Sequence, residues 1–300
     1  MIPASNSLLD YKSSVFSQNG EDGVIKRLFE VIGVTNRTCC EFGAWDGIVF
    51  SNTRQLILQG WSCLMIEGDE EKFRQLKKTY AQTPRVTCVQ RYVDTGANSL
   101  AAICAECGFP TEMDFLSIDI DGMDYEIFRT IKCRPRVVCV EVSACHPPEQ
   151  QTTIPDEIAA GNVGQPLGVF TRAAREMGYA LAVYTANAFY VRADVLKAAG
   201  LHEVSDVEAY EDYLAHLPMT EKEHLLLANR SLVIPYRHFQ NPRLSAKSLG
   251  IPLSRAARLI LPRWIRRHSP PGTIRGFAVR CVDSARYRLG RLWRRPGRTP

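Results

Sequence analysis

One segment constrains this chain more than any other: Glu41-Phe42-Gly43-Ala44-Trp45-Asp46-Gly47. A short run of small and apolar residues, Thr38-Cys39-Cys40, precedes it, and a second run, Ser62-Cys63-Leu64-Met65-Ile66, ends in Glu67. The order is strand, acid-glycine turn, helix, strand, acid. Glycines in such a turn let the backbone approach a ligand closely. An acid after the second strand suits the two hydroxyls of a ribose. The pattern therefore predicts a Rossmann-like α/β fold that grips an adenosyl group.

The turn is not G-x-G-x-x-G. Its two glycines, Gly43 and Gly47, stand among the acids Glu41 and Asp46. A pyrophosphate would be repelled by these carboxylates, whereas a cofactor carrying a sulfonium and an ammonium would be attracted. On this charge argument the cofactor is S-adenosylmethionine rather than NAD.

Apolar runs alternate with helical spacing along the first half of the chain. Strands are predicted at 38–42, 62–67, 86–89, 115–119 and 137–141. Between them lie helices at 51–60, 70–80, 99–107 and 125–131, and another ends at Gly33 before the first strand. This alternation implies a parallel sheet covered on both faces. Ligands of such sheets sit beyond the carboxyl ends of the strands, where Glu41, Glu67, Asp119 and Glu141 all fall. Residues 144–165 read as a long polar loop of the kind used for lids or binding. A helix at 167–177 and a hairpin through Thr185-Ala186-Asn187 follow, and the hairpin adds an antiparallel edge. Residues 205–240 read as a helical extension.

Composition sets limits. Of 300 residues, 45% are hydrophobic, enough for a sizeable core. No run reaches the roughly 18 apolar residues of a membrane span. The start, Met1-Ile2-Pro3-Ala4-Ser5, lacks the features of a signal peptide. The ten cysteines sit mostly in apolar runs, as buried thiols do, and suit a reducing compartment. A cytoplasmic location is the expectation. Residues 255–300 hold thirteen arginines, no lysine and one acid, Asp283; they carry +12 of a chain whose net charge is +5, so the rest carries −7.

Several segments in order resemble the FkbM-like S-adenosylmethionine-dependent methyltransferases. They are Ser17-Gln18-Asn19-Gly20-Glu21-Asp22, the 41–47 turn, Ser51-Asn52-Thr53, Ile66-Glu67-Gly68-Asp69, Leu116 to Tyr125, and Asn187 to Arg192. The resemblance implies a class I methyltransferase fold, mostly parallel, with a C-terminal antiparallel hairpin. The resemblance runs from about Phe16 to about Arg192, and the chain as a whole reads as a lead-in at 1–16, a methyltransferase domain at 17–243 with its helical extension from about 205, and an Arg-rich tail at 244–300. It also implies O-methyl transfer to a hydroxyl of a saccharide or glycolipid precursor. A non-catalytic scaffold or partner-binding module of the same fold, held at a membrane surface, is the alternative.

By position and resemblance, Glu41, Gly43, Asp46 and Gly47 line the cofactor, Glu67 binds its ribose, and Asp94 stands near the adenine edge. Gln18 and Glu21 either reach over the cofactor or serve as turn and capping residues. Asn52 reads as a helix cap, as does Asp124. Asp119, Asp121 and Glu141 are the catalytic candidates. Asp119 and Asp121 face one side if their strand continues. Some similar sugar methyltransferases bind magnesium with acids at the ends of strands four and five, so the resemblance implies that these three could hold Mg2+, a hard cation suited to carboxylates; without a metal, Asp119 or Asp121 would act as the base, and a purely structural acid cluster is the third reading. His146 is a second candidate base against a solvated loop histidine. Cys104 and Cys107 lack a second pair at zinc spacing and read as helix packing, and Trp45 and Trp61 as core or pocket wall. The tail mixes arginine with Leu259-Ile260-Leu261, Trp264 and Trp293. This suits peripheral attachment to an anionic membrane surface; nucleic acid binding and a solubilising tail are the rivals.

Overall fold

The computed structural model describes residues 7–120, 123–144, 146–154 and 164–217. After a short 3-10 turn at Leu8–Tyr11, the elements are α1 Glu21–Ile32, β1 Thr38–Phe42, α2 Arg54–Leu58, β2 Ser62–Glu67, α3 Glu70–Thr79, β3 Val86–Gln90, α4 Leu100–Cys107, β4 Phe115–Ile118, α5 Asp124–Thr130 and β5 Val137–Glu141. Then come α6 Leu167–Glu176, β6 Tyr179–Tyr184, β7 Asn187–Arg192, α7 Ala193–Ala198 and α8 Asp206–Ala215.

The central strands are continuous apolar runs because helices cover both of their faces; every residue of β4 is buried, as are four of the five in β1. Seven strands form one sheet in the order β3-β2-β1-β4-β5-β7-β6. Strands β1 to β5 run parallel, and β7 enters antiparallel between β5 and β6. This is the class I methyltransferase arrangement the resemblance implies. Winding reverses between β1 and β4, so the crevice for a ligand opens there. Registers align the ends: Phe42 lies opposite Ile66 on one side and Ile118 on the other.

Local chemistry explains where the helices start and end. In α3, the Asp69 carboxylate accepts from the Glu71 and Lys72 amides, acids occupy the first turn, and Lys77 and Lys78 close the last, as the helix dipole favours. The α8 helix opens with a reciprocal capping box between Ser205 and Glu208. Between β7, α5 and α6 lies an aromatic core, with the Phe128 ring 5.6 Å from Phe170 and 5.3 Å from Tyr190. The hairpin turn shortens to Thr185 and Ala186, with Ala186 in the left-handed region at φ 89°, because Asn187 already pairs with Glu141.

The described residues fall in one unit, Met1–Leu217. The remainder of the expected helical extension, the 218–243 stretch and the Arg-rich tail lie outside them. Among the described residues no helix is long and apolar enough to cross a membrane.

Candidate functional site

The turn after β1 is built from inside. Gly43 sits at φ 75°, and a Cβ there would lie 1.6 Å from the Asp119 carbonyl oxygen. The close approach of two strand ends therefore demands glycine. Gly47, also at φ 75°, is demanded by α3, since a Cβ would meet the Tyr80 ring at 2.4 Å. The Tyr80 hydroxyl donates to the Gly47 carbonyl at 2.7 Å, and Thr79 Oγ1 to the Asp46 carbonyl at 2.8 Å. Asp46 itself accepts the Ile48 and Val49 amides, both at 2.9 Å. Its carboxylate shapes the loop. Trp45 is not core: its side chain is 49% exposed, with Lys72 Nζ 3.9 Å from the ring centroid.

The strand-end acids are tied to backbone. Glu41 is buried; its carboxylate accepts Ser51 Oγ at 2.6 Å, Thr53 Oγ1 at 2.7 Å and the Asn52 amide at 2.8 Å. It thus binds Ser51-Asn52-Thr53 to the end of β1 and acts as a positioning residue. Glu67 accepts the Trp45 amide at 2.7 Å on one oxygen and the Asp69 amide at 2.8 Å on the other. Each of those oxygens has a further acceptor direction for a ligand hydroxyl. Burial pushes both carboxyls up, against the lowering effect of their hydrogen bonds. Asp94 closes its own turn on the Gly96 and Asn98 amides, at 2.8 and 2.9 Å, and these bonds hold its carboxyl below the usual range.

Two residues emerge that sequence patterns undervalued. Asn52 does not cap α2: Thr53 holds the cap position. The Asn52 amide turns inward to Ser117 Oγ at 3.1 Å and Cys139 Sγ at 3.8 Å, leaving its Oδ1 buried without a hydrogen-bond partner among the described residues. A buried acceptor without a partner asks for a donor from elsewhere. Glu21 opens α1 and is fully buried. It accepts Thr185 Oγ1 at 2.9 Å and Asn187 Nδ2 at 3.1 Å across more than 160 residues of chain, and the Asn19 amide at 2.7 Å. Burial raises its carboxyl as well. Neighbouring Asp22 gathers the Val15, Phe16 and Ser17 amides, each at 2.8 Å. The Ser-Gln-Asn-Gly-Glu-Asp segment is thus a clamp between lead-in and hairpin. Its signal in the sequence was the pair of adjacent acids after a glycine. Gln18, by contrast, is exposed.

These groups share one end of the sheet. The Cys139 thiol on β5 is pushed well up, first by burial and then by Glu21, Asp119 and Glu41.

The β4 and β5 side differs from expectation in two respects. The strand stops at Ile118 instead of continuing, because β1 bends away at Gly43 and the Ile120 amide is taken by the Asp124 carboxylate at 2.8 Å. The continued strand on which the alignment of Asp119 with Asp121 depended is not present at Asp119 and Ile120. For the same reason Asp124 does not cap α5; Met123 holds the cap position with no side-chain bond. Asp119 is exposed just beyond β4, and Glu141 is half-buried at the end of β5. Asp121 lies outside the described residues, as does much of the loop after β5. His146, in that loop, is buried rather than solvated; its Nε2 has no partner among the described residues, and burial lowers its pKa to about 4. That value leaves a weak base at neutral pH.

Among the described residues, no three His, Cys, Asp or Glu side chains are placed to hold a metal ion. Asp119 and Glu141 alone do not make a magnesium site, and no chemistry is assigned to one here. The eight described cysteines are free thiols. Cys104 hydrogen-bonds Cys133 from within α4, which fits the packing reading of the C-x-x-C pair. Trp61 is core, its ring edge-on to Phe29 at 5.0 Å. Two described clefts, of about 450 and 280 Å³, lie along α2–α3 and beside α7, away from the carboxyl ends of the strands. The crevice is therefore assigned from topology and orphaned polar atoms, not from concavity.

Residues 91–181 match the family model of the methyltransferase FkbM domain. No curated protein sequence matches the chain. Among solved structures, the citrinin polyketide synthase CMeT domain aligns at 11% identity with a TM-score of 0.40, over 57% of this chain and 51% of that one. The N-terminal domain of EvdMO1, with SAH bound, aligns at 16% identity and 0.32, over 62% and 71%. A SAM-dependent methyltransferase from Aquifex aeolicus aligns at 10% and 0.36, over 56% and 88%. This chain thus spans about half the length of the first of these.

Proposed function

From the premise that this is an FkbM-like methyltransferase domain on a class I methyltransferase sheet, we propose that the chain transfers the methyl group of S-adenosylmethionine to a hydroxyl of a saccharide or glycolipid precursor. The observation that carries the cofactor half is the set of groups at the β1, β2 and β4 ends: the Gly43 turn, the buried Glu67 carboxylate and the unpartnered Asn52 Oδ1. Glu67 would accept from the ribose hydroxyls, and Asn52 Oδ1 would accept from the cofactor's ammonium. Glu41 holds the Asn52 segment in place, and Asp46 shapes the loop beyond the turn. Bound there, the cofactor supplies a methyl group already activated by its sulfonium.

The acceptor side rests on Asp119 and Glu141. A hydroxyl is a poor nucleophile, so a carboxylate that takes its proton during attack is worth about 10²–10⁴ in rate. Asp119, exposed at the mouth beside the Gly43 turn, is the residue assigned that task, and Asp121 is the neighbour that would share it. Peripheral attachment through the basic tail would bring such an enzyme to lipid-linked glycans at the cytoplasmic face. Tritiated S-adenosylmethionine, incubated with the full chain and a panel of saccharide and glycolipid acceptors, tests the reaction. Label in a base-stable ether on one class supports it. Cofactor binding without transfer to any hydroxyl acceptor would favour the scaffold alternative.

A further inference from the structure

The cleft of about 450 Å³ between α2 and α3 belongs to no part of the site above. Its walls include Arg54, Gln59, Thr79, Thr83 and Arg85, and no acid lines it. Among the described residues neither arginine forms a salt bridge, although seven other arginine and lysine side chains do. Arg85 donates to the Gly60 carbonyl at 2.8 Å, which fixes its guanidinium at the rim. Arg54 is held by aromatic faces, 5.1 Å from the Tyr80 ring centroid and 5.8 Å from that of Phe16. Its Nε is shielded from water and has no acceptor among the described residues.

Two guanidinium groups lining one concavity with no acid beside them repel one another. That repulsion is relieved by an oxyanion with several acceptor oxygens, for which the planar fork of arginine is suited. We propose that this cleft binds a phosphate or diphosphate group, held by Arg54 and Arg85 with Thr83 at its side. The inference goes beyond methyl transfer and does not depend on it. The cleft also stands back-to-back with the cofactor turn, since Thr79 and Tyr80 hold the Asp46 and Gly47 carbonyls.

The test is calorimetric titration of inorganic pyrophosphate into the full chain at constant ionic strength. Saturable binding is expected, weakened about tenfold in Arg85→Gln, as loss of a charge-assisted hydrogen bond implies. Arg54→Gln should weaken it at least as much, but that side chain also packs on two rings. Arg85, at the surface, is therefore the deciding variant. S-adenosylhomocysteine binding in Arg85→Gln should match the parent chain, which separates failure here from failure of the cofactor reading. Uridine diphosphate and phosphatidylcholine vesicles doped with phosphatidic acid distinguish a nucleotide source from a lipid headgroup. A preference for either, lost in Arg85→Gln, supports the site. Absence of saturable heat, or equal affinity in Arg85→Gln, overturns it.

Discussion

The two halves of the crevice are held by different means. On the β1–β2 side each acid works on nearby backbone: Glu41 on residues 51–53, Glu67 on Trp45 and Asp69, Asp46 on Ile48 and Val49, Asp94 on Gly96 and Asn98. On the β4–β5 side Asp119 stands exposed just beyond β4, His146 is buried with a nitrogen that has no partner among the described residues, and the supporting clamp comes from Glu21 far away in sequence. The first half is held by hydrogen bonds between residues close in sequence. The second is assembled by tertiary packing, so its chemistry depends on elements that meet only once the fold is complete.

The comparison breaks first at Gly43. Gly43→Ala forces a Cβ into the Asp119 carbonyl at a left-handed φ, and a loss on the order of 4 kcal/mol is expected. Urea denaturation measures it; a loss below about 1 kcal/mol would mean the strand ends are free to part. Next is Asp119→Asn on the other side. Methyl transfer should fall about 100-fold or more, while the thermal midpoint and cofactor affinity stay where they were. Unfolding of this variant would turn Asp119 into a structural acid and erase the contrast.

A smaller effect is expected at the clamp. Asp22→Ala leaves three amides without their acceptor, a cost of about 2–3 kcal/mol, read by the same denaturation experiment. An Asp22→Ala chain as stable as the parent would show that the lead-in is not fastened there.

The smallest is a pH effect whose sign differs between groups. Folded His146 has its pKa lowered to about 4 from 6.5. Stability from keeping it neutral is full above pH 6.5 and is lost as pH falls toward 4. Glu21, Glu41 and Glu67, raised above 4.5, act oppositely: their contribution is full below 4.5 and is lost as pH rises through their folded values. His146→Phe should therefore lose less stability than the parent between pH 6.5 and 4. Identical pH profiles would place His146 in water.

Most of the sheet was legible because each parallel strand is a continuous apolar run bounded by a turn, and because acids recur at the strand ends. The Glu41–Gly47 turn was legible for the same reason, since residues a few positions apart determine it. What the spacing could not reveal was direction. Asn52 and Asp124 sit where caps belong, yet each turns to a partner outside its helix, Ser117 and the Ile120 amide. The end of β4 was misjudged by one residue because the bend at Gly43, on another strand, ends the ladder. Glu21 was ambiguous because its partners, Thr185 and Asn187, lie at the far end of the domain.

The central proposal is that the β1–β2 side holds the cofactor. Calorimetric titration of S-adenosylhomocysteine into the full chain, beside Glu67→Ala, tests it most directly. The account predicts saturable binding without added magnesium, weakened about tenfold or more by the substitution, as expected for losing hydrogen bonds to a charged group. Equal affinity in Glu67→Ala, or no binding by the folded parent chain, would contradict it.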